Sequence, residues 1–332
     1  MRLFASAPTR IDLAGGTIDI WPLYLFHPGA STLHAAISLR ASVRLETAPD
    51  EAVTLISEDT GRRVRLTSPE ALAHDTTLPL LSRLAHRFGV GGVIMTTACE
   101  SPAGAGIAGS SALNIAVCGV LDRWTGGGHG PDALMRIAQD VEAQVIKVPT
   151  GLQDYRPAMY GGISALEFEA GVVRRVPLAV SPDELRARVV LCYTGAPRDS
   201  GTNNWEIIKR HIDGDAHVFD CFERIRDTAA GMREALVRGD WDAVGRHLAV
   251  EWENRKRLAP GVTTPLVDDL IGRAVAAGAQ AAKVCGAGGG GCLFCLVPPA
   301  RVPDVRAALA AGGARLLDFD IETEGLQVDA GA

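Results

Sequence analysis

Between residues 100 and 112 the chain reads Glu-Ser-Pro-Ala-Gly-Ala-Gly-Ile-Ala-Gly-Ser-Ser-Ala, and here residue types and spacing first suggest chemistry. Gly104, Gly106 and Gly109 permit tight turns and let a ligand approach the main chain with no Cβ in the way. Ser110 and Ser111 stand where a helix begins, and the free N–H groups of a helix N-terminus attract phosphate. The plainer meaning is a glycine turn with a serine N-cap. The density of glycine and hydroxyl groups on one corner favours a phosphate cradle. The elements that must position this corner flank it: 93–97 reads as a strand and 113–121 as a mostly buried helix carrying a single Asn114.

Two phosphate-binding patterns overlap the stretch and neither holds. Gly104 to Gly109 fits G-x-G-x-x-G, but a dinucleotide unit needs a second parallel strand after the helix, ending in an acidic residue. Here a glycine-rich turn, 125–130, leads into another helix instead. A Walker loop fails because Ser110 stands where its lysine is required.

Three other segments place polar groups oddly. Arg10, Asp12 and Asp19 lie in an apolar run, 5–20, that begins as a strand and breaks at Gly15-Gly16. An edge strand with an Arg–Asp pair and a substrate site at a strand end both fit. Asp154 sits between glycines in Gly151-Leu-Gln-Asp-Tyr-Arg-Pro-Ala-Met-Tyr-Gly-Gly162, which reads as a loop. Arg156 can pair with Asp154 or meet a phosphate. Finally, 283–296 is a strand, a run of glycines and another strand, too tightly flanked by apolar residues for a linker.

The 332 residues suffice for one large or two ordinary domains. With 47% hydrophobic and 22% charged residues, a net charge of -6 and no long basic run, a nucleic-acid or anionic-membrane surface is disfavoured. Seven scattered cysteines suit buried apolar positions in a reducing compartment, and Cys292-x-x-Cys295 lacks a second ligand pair. The first residues lack the apolar core of a signal peptide and no run reaches membrane-spanning length, so a cytoplasmic protein is expected. Strands are predicted at 35–47, 53–56, 63–66, 163–169, 172–180, 189–193 and 315–321. Helices are predicted at 78–88, 133–146, 203–212, 220–238, 241–254, 265–277 and 302–311. The stripes of the later helices make His217, His247, Trp241 and Trp252 packing or surface residues. A domain boundary is placed near residue 185, giving 1–185 and 186–332.

Four segments in this order resemble the GHMP kinases, the galactokinase, homoserine, mevalonate and phosphomevalonate kinase superfamily. The segment 102–112 is similar to its phosphate loop, with Ile107 and Ala108 as mild departures. The segment 5–19 is similar to the opening of the heptose 7-phosphate and fucose kinases, although Ile18 replaces a usual threonine. Gly16 and Thr17 stand where galactokinase has Glu-His, which counts against galactose. The segment around Asp154 resembles the G-x-Q-D signature of the same branch, with Arg156 and Pro157 departing from it. The segment 283–291 resembles the third signature motif, and Cys292 follows where phenylalanine is common. A fifth stretch, Thr194–Ser200, is similar to a segment that would let Arg198 hold an anionic group.

The resemblance implies an α+β fold of two domains, one like ribosomal protein S5 domain 2 and one ferredoxin-like. It implies ATP as cofactor, cradled by Pro102, Gly104, Ala105, Gly106, Ile107, Ala108, Gly109, Ser110, Ser111 and Ala112, with Mg²⁺ on Ser111 and Glu142. Asp154 would be the general base and Arg10 would stabilise the transferred phosphoryl group. Gly15, Gly16, Thr17, Asp19, Arg198, Gly288 and Gly289 would face the substrate. That substrate would be a sugar or sugar phosphate, a heptose 7-phosphate first, with fucose or a uronic acid as alternatives. A non-catalytic sugar-binding regulator is the reading from another class. Diphosphate decarboxylases share the fold but differ in the opening segment. Oligomeric state is left open, a homodimer included.

Overall fold

Two long strands form the spine of a first sheet. In the computed structural model, which describes residues 1–196 and 200–330 with backbone alone at 200–203, β1 (Arg2–Ala14) and β2 (Ser31–Thr47) pair antiparallel. β1 is buried almost throughout, its polar Ser6, Thr9, Arg10 and Asp12 included, so both of its faces are covered. β3 (Val53–Ser57) and β4 (Arg62–Leu66) make a hairpin, and β5 (Val93–Cys99) runs between β3 and β2. β6 (Ile163–Glu169) and β7 (Val172–Pro177) form a second hairpin on the other end of β2. The second sheet has the order β11-β8-β10-β9, built from β8 (Val189–Tyr193), β9 (Ala281–Val284), β10 (Cys292–Leu296) and β11 (Arg315–Leu317). The last strand, β12 (Gln327–Ala330), returns to the first sheet and pairs with β1.

Most helices pack on one of the two sheets. α1 (Pro69–His74), α2 (Pro79–Arg87), α3 (Gly109–Thr125), α4 (Pro131–Ile146) and α5 (Tyr155–Tyr160) belong to the first. A core of Ala112, Ile115, Leu121, Leu134, Ile137 and Tyr155 from these helices packs on Ala5, Val43, Leu55 and Met95 of the strands. After the short α6 (Pro182–Arg186) come α7 (Ser200–Ile212), α8 (Ala216–Arg238), α9 (Trp241–Arg255), α10 (Pro265–Ala276) and α11 (Val302–Ala311); α8 packs on α7 and α9 and reaches β1 and β2 of the first sheet, while α9 and α10 lie on β9 and α11 on β8 and β11 of the second. Trp241 and Trp252 are buried in its cores, while His217 is exposed, as the helical stripes predict. This is the α+β architecture expected, two sheets covered by helices and joined by cores that mix residues of both. Among the described residues no helix is long and apolar enough to cross a membrane.

Three local differences have simple causes. The stretch after Asp154 is a helix, not a loop: Pro157 occupies its first turn, where a missing N–H breaks no helical bond. Residues 318–321 do not extend β11; Ile321 instead bridges to Ile37 in the first sheet. β12 has no periodic signature of its own; it packs where α3 carries Gly119, at which a Cβ would meet Leu326 at 2.7 Å.

Candidate active site

The glycines of 104–109 turn the chain from β5 into α3. Gly104 and Gly106 have φ of 67° and 78°, and Ala108, the N-cap of α3, is left-handed at 62°. α3 begins without a side-chain cap. The serine N-cap is therefore absent, and Ser110 and Ser111 turn their hydroxyls to Glu142 instead, at 2.6 and 3.0 Å. Glu142 comes from the far end of α4, is buried, and also accepts from the Tyr155 hydroxyl at 2.8 Å. Burial pushes its carboxyl above the usual range, and the three hydroxyl donors oppose that shift.

This corner forms one wall of a cleft of about 300 Å³ that also takes in Arg10, Thr17, Asp19, Gly151, Gln153, Asp154, Arg255, Gly286 and Ala287. Arg10, 1% exposed, donates through Nε and Nη2 to the same oxygen, Oδ1 of Asp154, at 3.0 and 2.5 Å. Oδ2 of Asp154 has no hydrogen-bond partner among the described residues. The third Arg10 nitrogen donates to Gly106 O at 2.8 Å, so one guanidinium touches the carboxylate and the glycine loop together. Burial works against the Arg10 charge, but Asp154 and Asp12 outweigh it and hold the guanidinium more firmly protonated than usual.

Asp19 lies opposite. Its Oδ2 accepts from the Gln153 N–H at 2.9 Å, while Oδ1 is buried with no hydrogen-bond partner among the described residues. Gly151 makes the approach possible, because a Cβ there would sit 2.3 Å from Oδ2. Burial first, and then the neighbouring Asp154 charge, raise the Asp19 carboxyl to about 6.

Beneath both corners is a buried ion cluster. Asp12 accepts from Lys283 Nζ at 3.0 Å and from Gly286 N at 2.9 Å, and Lys283 also reaches Glu251 at 3.1 Å. Arg255 joins through Glu251 at 3.4 Å and stands 4.0 Å from Asp12. All four side chains are at most 2% exposed. Coulombic attraction to Lys283, Arg10 and Arg255 exceeds the burial penalty and holds Asp12 well below the usual carboxylate range.

Most of the expected residues therefore converge, and several stand differently. Pro102, Gly104, Ala105, Gly106, Ala108, Gly109, Ser110 and Ser111 line the cleft; Ile107 and Ala112 face the core. Thr17 and Asp19 line it, whereas Gly15 and Gly16 are spacers pressed against Ser31 O and Arg255. Gly288 and Gly289 pack on Val262, and it is Gly286 and Ala287 that reach the cleft. The glycine run still has a purpose there: Gly291 and Cys292 press on the phosphate loop, with Cys292 N donating to Ala105 O at 2.6 Å. Arg198 lies outside the described residues. Arg156 makes no ion pair with Asp154. It is half-buried, within electrostatic reach of Asp132, Asp19, Tyr24 and Tyr160, and hydrogen-bonded to no described residue. Sequence reading missed Asp12 as a hub, Tyr155, Glu251 and Arg255. An i, i+4 Glu–Arg pair late in a helix carried the only signal, and it looks like a surface pair.

As for a metal, one buried carboxylate with two serine hydroxyls is an all-oxygen set, which fits a hard cation that completes its shell with phosphate oxygens and water. Among the described residues no group of three or more His, Cys, Asp or Glu could hold an ion alone.

Comparison with known proteins agrees along the chain. Residues 76–162 match the model of the GHMP kinases N-terminal domain, and residues 232–315 match that of the GHMP kinases C-terminal region. D-glycero-alpha-D-manno-heptose 7-phosphate kinase of Campylobacter jejuni is 28% identical, over 96% of both chains. Galactokinase of Mycobacterium tuberculosis is 30% identical over 67% of this chain and 70% of its own length. The crystal structure of a sugar kinase, described as putative, from Campylobacter jejuni superposes with a TM-score of 0.79 at 25% identity, covering 98% of each chain.

Proposed function

The chain belongs to the GHMP kinase superfamily, and from that premise we propose that it transfers the γ-phosphoryl group of ATP to the anomeric hydroxyl of a heptose 7-phosphate. Phosphoryl transfer needs alignment and charge neutralisation more than covalent participation by the protein. The main chain and hydroxyls of 104–111 hold the nucleotide phosphates at one end of the cleft. Asp19 orients the sugar at the other.

The observation that carries the reading is the Arg10–Asp154 pair between them. Both Arg10 donors engage Oδ1, so Oδ2 is left to accept the proton of the attacking hydroxyl. The guanidinium, bonded to Gly106 O, stands where charge develops on the moving phosphoryl group. Glu142, Ser110 and Ser111 are the residues that would hold Mg²⁺, which when bound neutralises phosphate charge. A phosphorylated sugar is favoured over fucose or a uronic acid by Arg156, a half-buried cation within electrostatic reach of Asp19 and Tyr24 and hydrogen-bonded to no carboxylate among the described residues. We keep the division 1–185 and 186–332, with β12 returning across it.

ADP release in a coupled assay, run over a panel of heptose 7-phosphate, fucose, uronic acids and galactose, tests this. Turnover of the heptose phosphate alone is the expected result. Turnover of an unphosphorylated sugar alone moves the substrate, and sugar binding without ADP release in any case makes the protein a binder.

A further inference from the structure

Arg255 ends α9 in the second half of the chain, yet its guanidinium forms part of the cleft wall. Nη2 donates to Thr17 Oγ1 at 3.0 Å, across 238 residues of sequence, and to Gly286 O at 2.6 Å. Nη1 faces Glu251 at 3.4 Å. The sugar-side loop is folded over this group: a Cβ on Gly16 would lie 2.6 Å from Nη1 and 2.9 Å from Nη2. Thr17 follows at φ 74°, a left-handed conformation that is an outlier for a β-branched residue. Such conformations persist only where their surroundings over-determine them, and they gather at working sites. Here the surroundings include a guanidinium that, with Asp12 Oδ2, fills the space over Gly16, holds the Thr17 hydroxyl and ties it to the glycine loop at Gly286. Two residues further on stands Asp19, whose Oδ1 is buried and without a hydrogen-bond partner among the described residues.

We propose that Arg255 is a positioning residue for the sugar: it sets the Gly16–Thr17 turn and thereby the reach of Asp19, so that α9 of the second sheet's layer belongs to the sugar site. The inference rests on the kinase reading above, with the loop 15–20 as its sugar wall.

The test is a pair of substitutions read by separate Michaelis constants. Arg255→Lys keeps the positive charge beside Asp12 and Glu251 but cannot bridge Thr17 and Gly286 at once. Thr17→Val removes the hydroxyl and leaves the ion cluster whole. Each is expected to raise the sugar KM about tenfold, the worth of one charge-assisted hydrogen bond. The ATP KM and kcat should stay within about twofold. The double variant should be no worse than either single one, because both act through the same bond. An unchanged sugar KM in Thr17→Val, equal rises in both KM values, or additive effects would overturn the proposal and leave Arg255 a structural tie. If Arg255→Lys fails to fold, Thr17→Val alone decides. A wild-type protein that turns over no sugar defeats the kinase reading instead, which separates the two failures.

Discussion

The two ends of the cleft are held by opposite means. At the proposed phosphate end the loop is shaped by glycines and held by Ser110, Ser111 and Tyr155 on Glu142, by main-chain bonds from Arg10 and Cys292, and by the Arg10 guanidinium on Gly106 O. At the sugar end the loop rests on ions buried beneath it, Asp12, Lys283, Glu251 and Arg255, drawn from both halves of the chain. The contrast follows the ligands. A polyanion is bound by N–H groups that point outward and must stay available, and Arg10, a donor bonded to Gly106 O, occupies none of them. A polyol has to be met by a carboxylate at a defined angle, and buried charge pairs fix geometry more firmly than they add stability. Asp154 belongs to both ends through Arg10, and its replacement should have the largest effect. Asp154→Asn is expected to lower kcat by about 10²–10⁴-fold in steady-state assays, the usual worth of general acid–base catalysis. Near-normal turnover would remove it from that role.

Stability should separate the two ends next. Lys283→Met leaves the Asp12 and Glu251 carboxylates buried without their shared cation, at a cost of about 3–5 kcal/mol. Ser111→Ala deletes one hydroxyl donor among three to Glu142, at a cost of about 1 kcal/mol. Midpoints of urea denaturation compare them directly. If Lys283→Met costs no more than Ser111→Ala, the sugar end is not built on charge and the contrast fails.

The same division explains what could be read from the sequence. The glycine corner was legible because the run 104–111 carries turn, hydroxyls and helix start together, whereas Tyr155, which joins Ser110 and Ser111 on Glu142, was missed. Both sheets and most helices followed from periodicity, since their apolar faces are buried as the patterns require. The sugar end was legible only as far as resemblance reached, at Arg10 and Asp19. Asp12 looked like a strand-edge partner, Lys283 like part of a glycine motif, and Glu251 with Arg255 like a solvated helix pair. Only the fold brings them within 4.0 Å of one another. β12 and α5 were missed for a related reason, as segments too short to have a period of their own.

Acidity gives a sharper view of the sugar end. With its folded-state value raised to about 6, Asp19 contributes stability that is fully present below the ordinary carboxylate value and is lost as pH rises through about 6. Sugar binding runs the other way, because only the ionised carboxylate accepts freely from two hydroxyls. The sugar Kd, measured calorimetrically, should weaken as pH falls below about 6. Asp19→Asn should abolish that inflection. Asp154→Asn should move it to lower pH, since it removes the second cause of the raised value. A wild-type profile flat between about pH 5 and 7 would show that the Asp19 charge does not set sugar affinity.

The smallest effect compares the two left-handed residues, one at each end. Ala108 has φ 62° and its side chain makes no polar contact, so Ala108→Gly relieves a conformation that costs an L-residue about 1–2 kcal/mol. The greater freedom of glycine in the unfolded chain offsets about 0.4–1 kcal/mol of this, leaving a net gain of about 0.5–1 kcal/mol. A higher urea midpoint with an unchanged ATP KM is the expected outcome, because the Ala108 side chain takes no part in the bonds that hold that loop. Thr17→Gly relieves the same strain at φ 74° but also breaks the bond from Arg255, so it should bring no gain in stability and a weaker sugar KM. If both glycine variants stabilise equally and bind their ligands as before, Thr17 is held by nothing but its own backbone, and the two ends of the cleft are built alike after all.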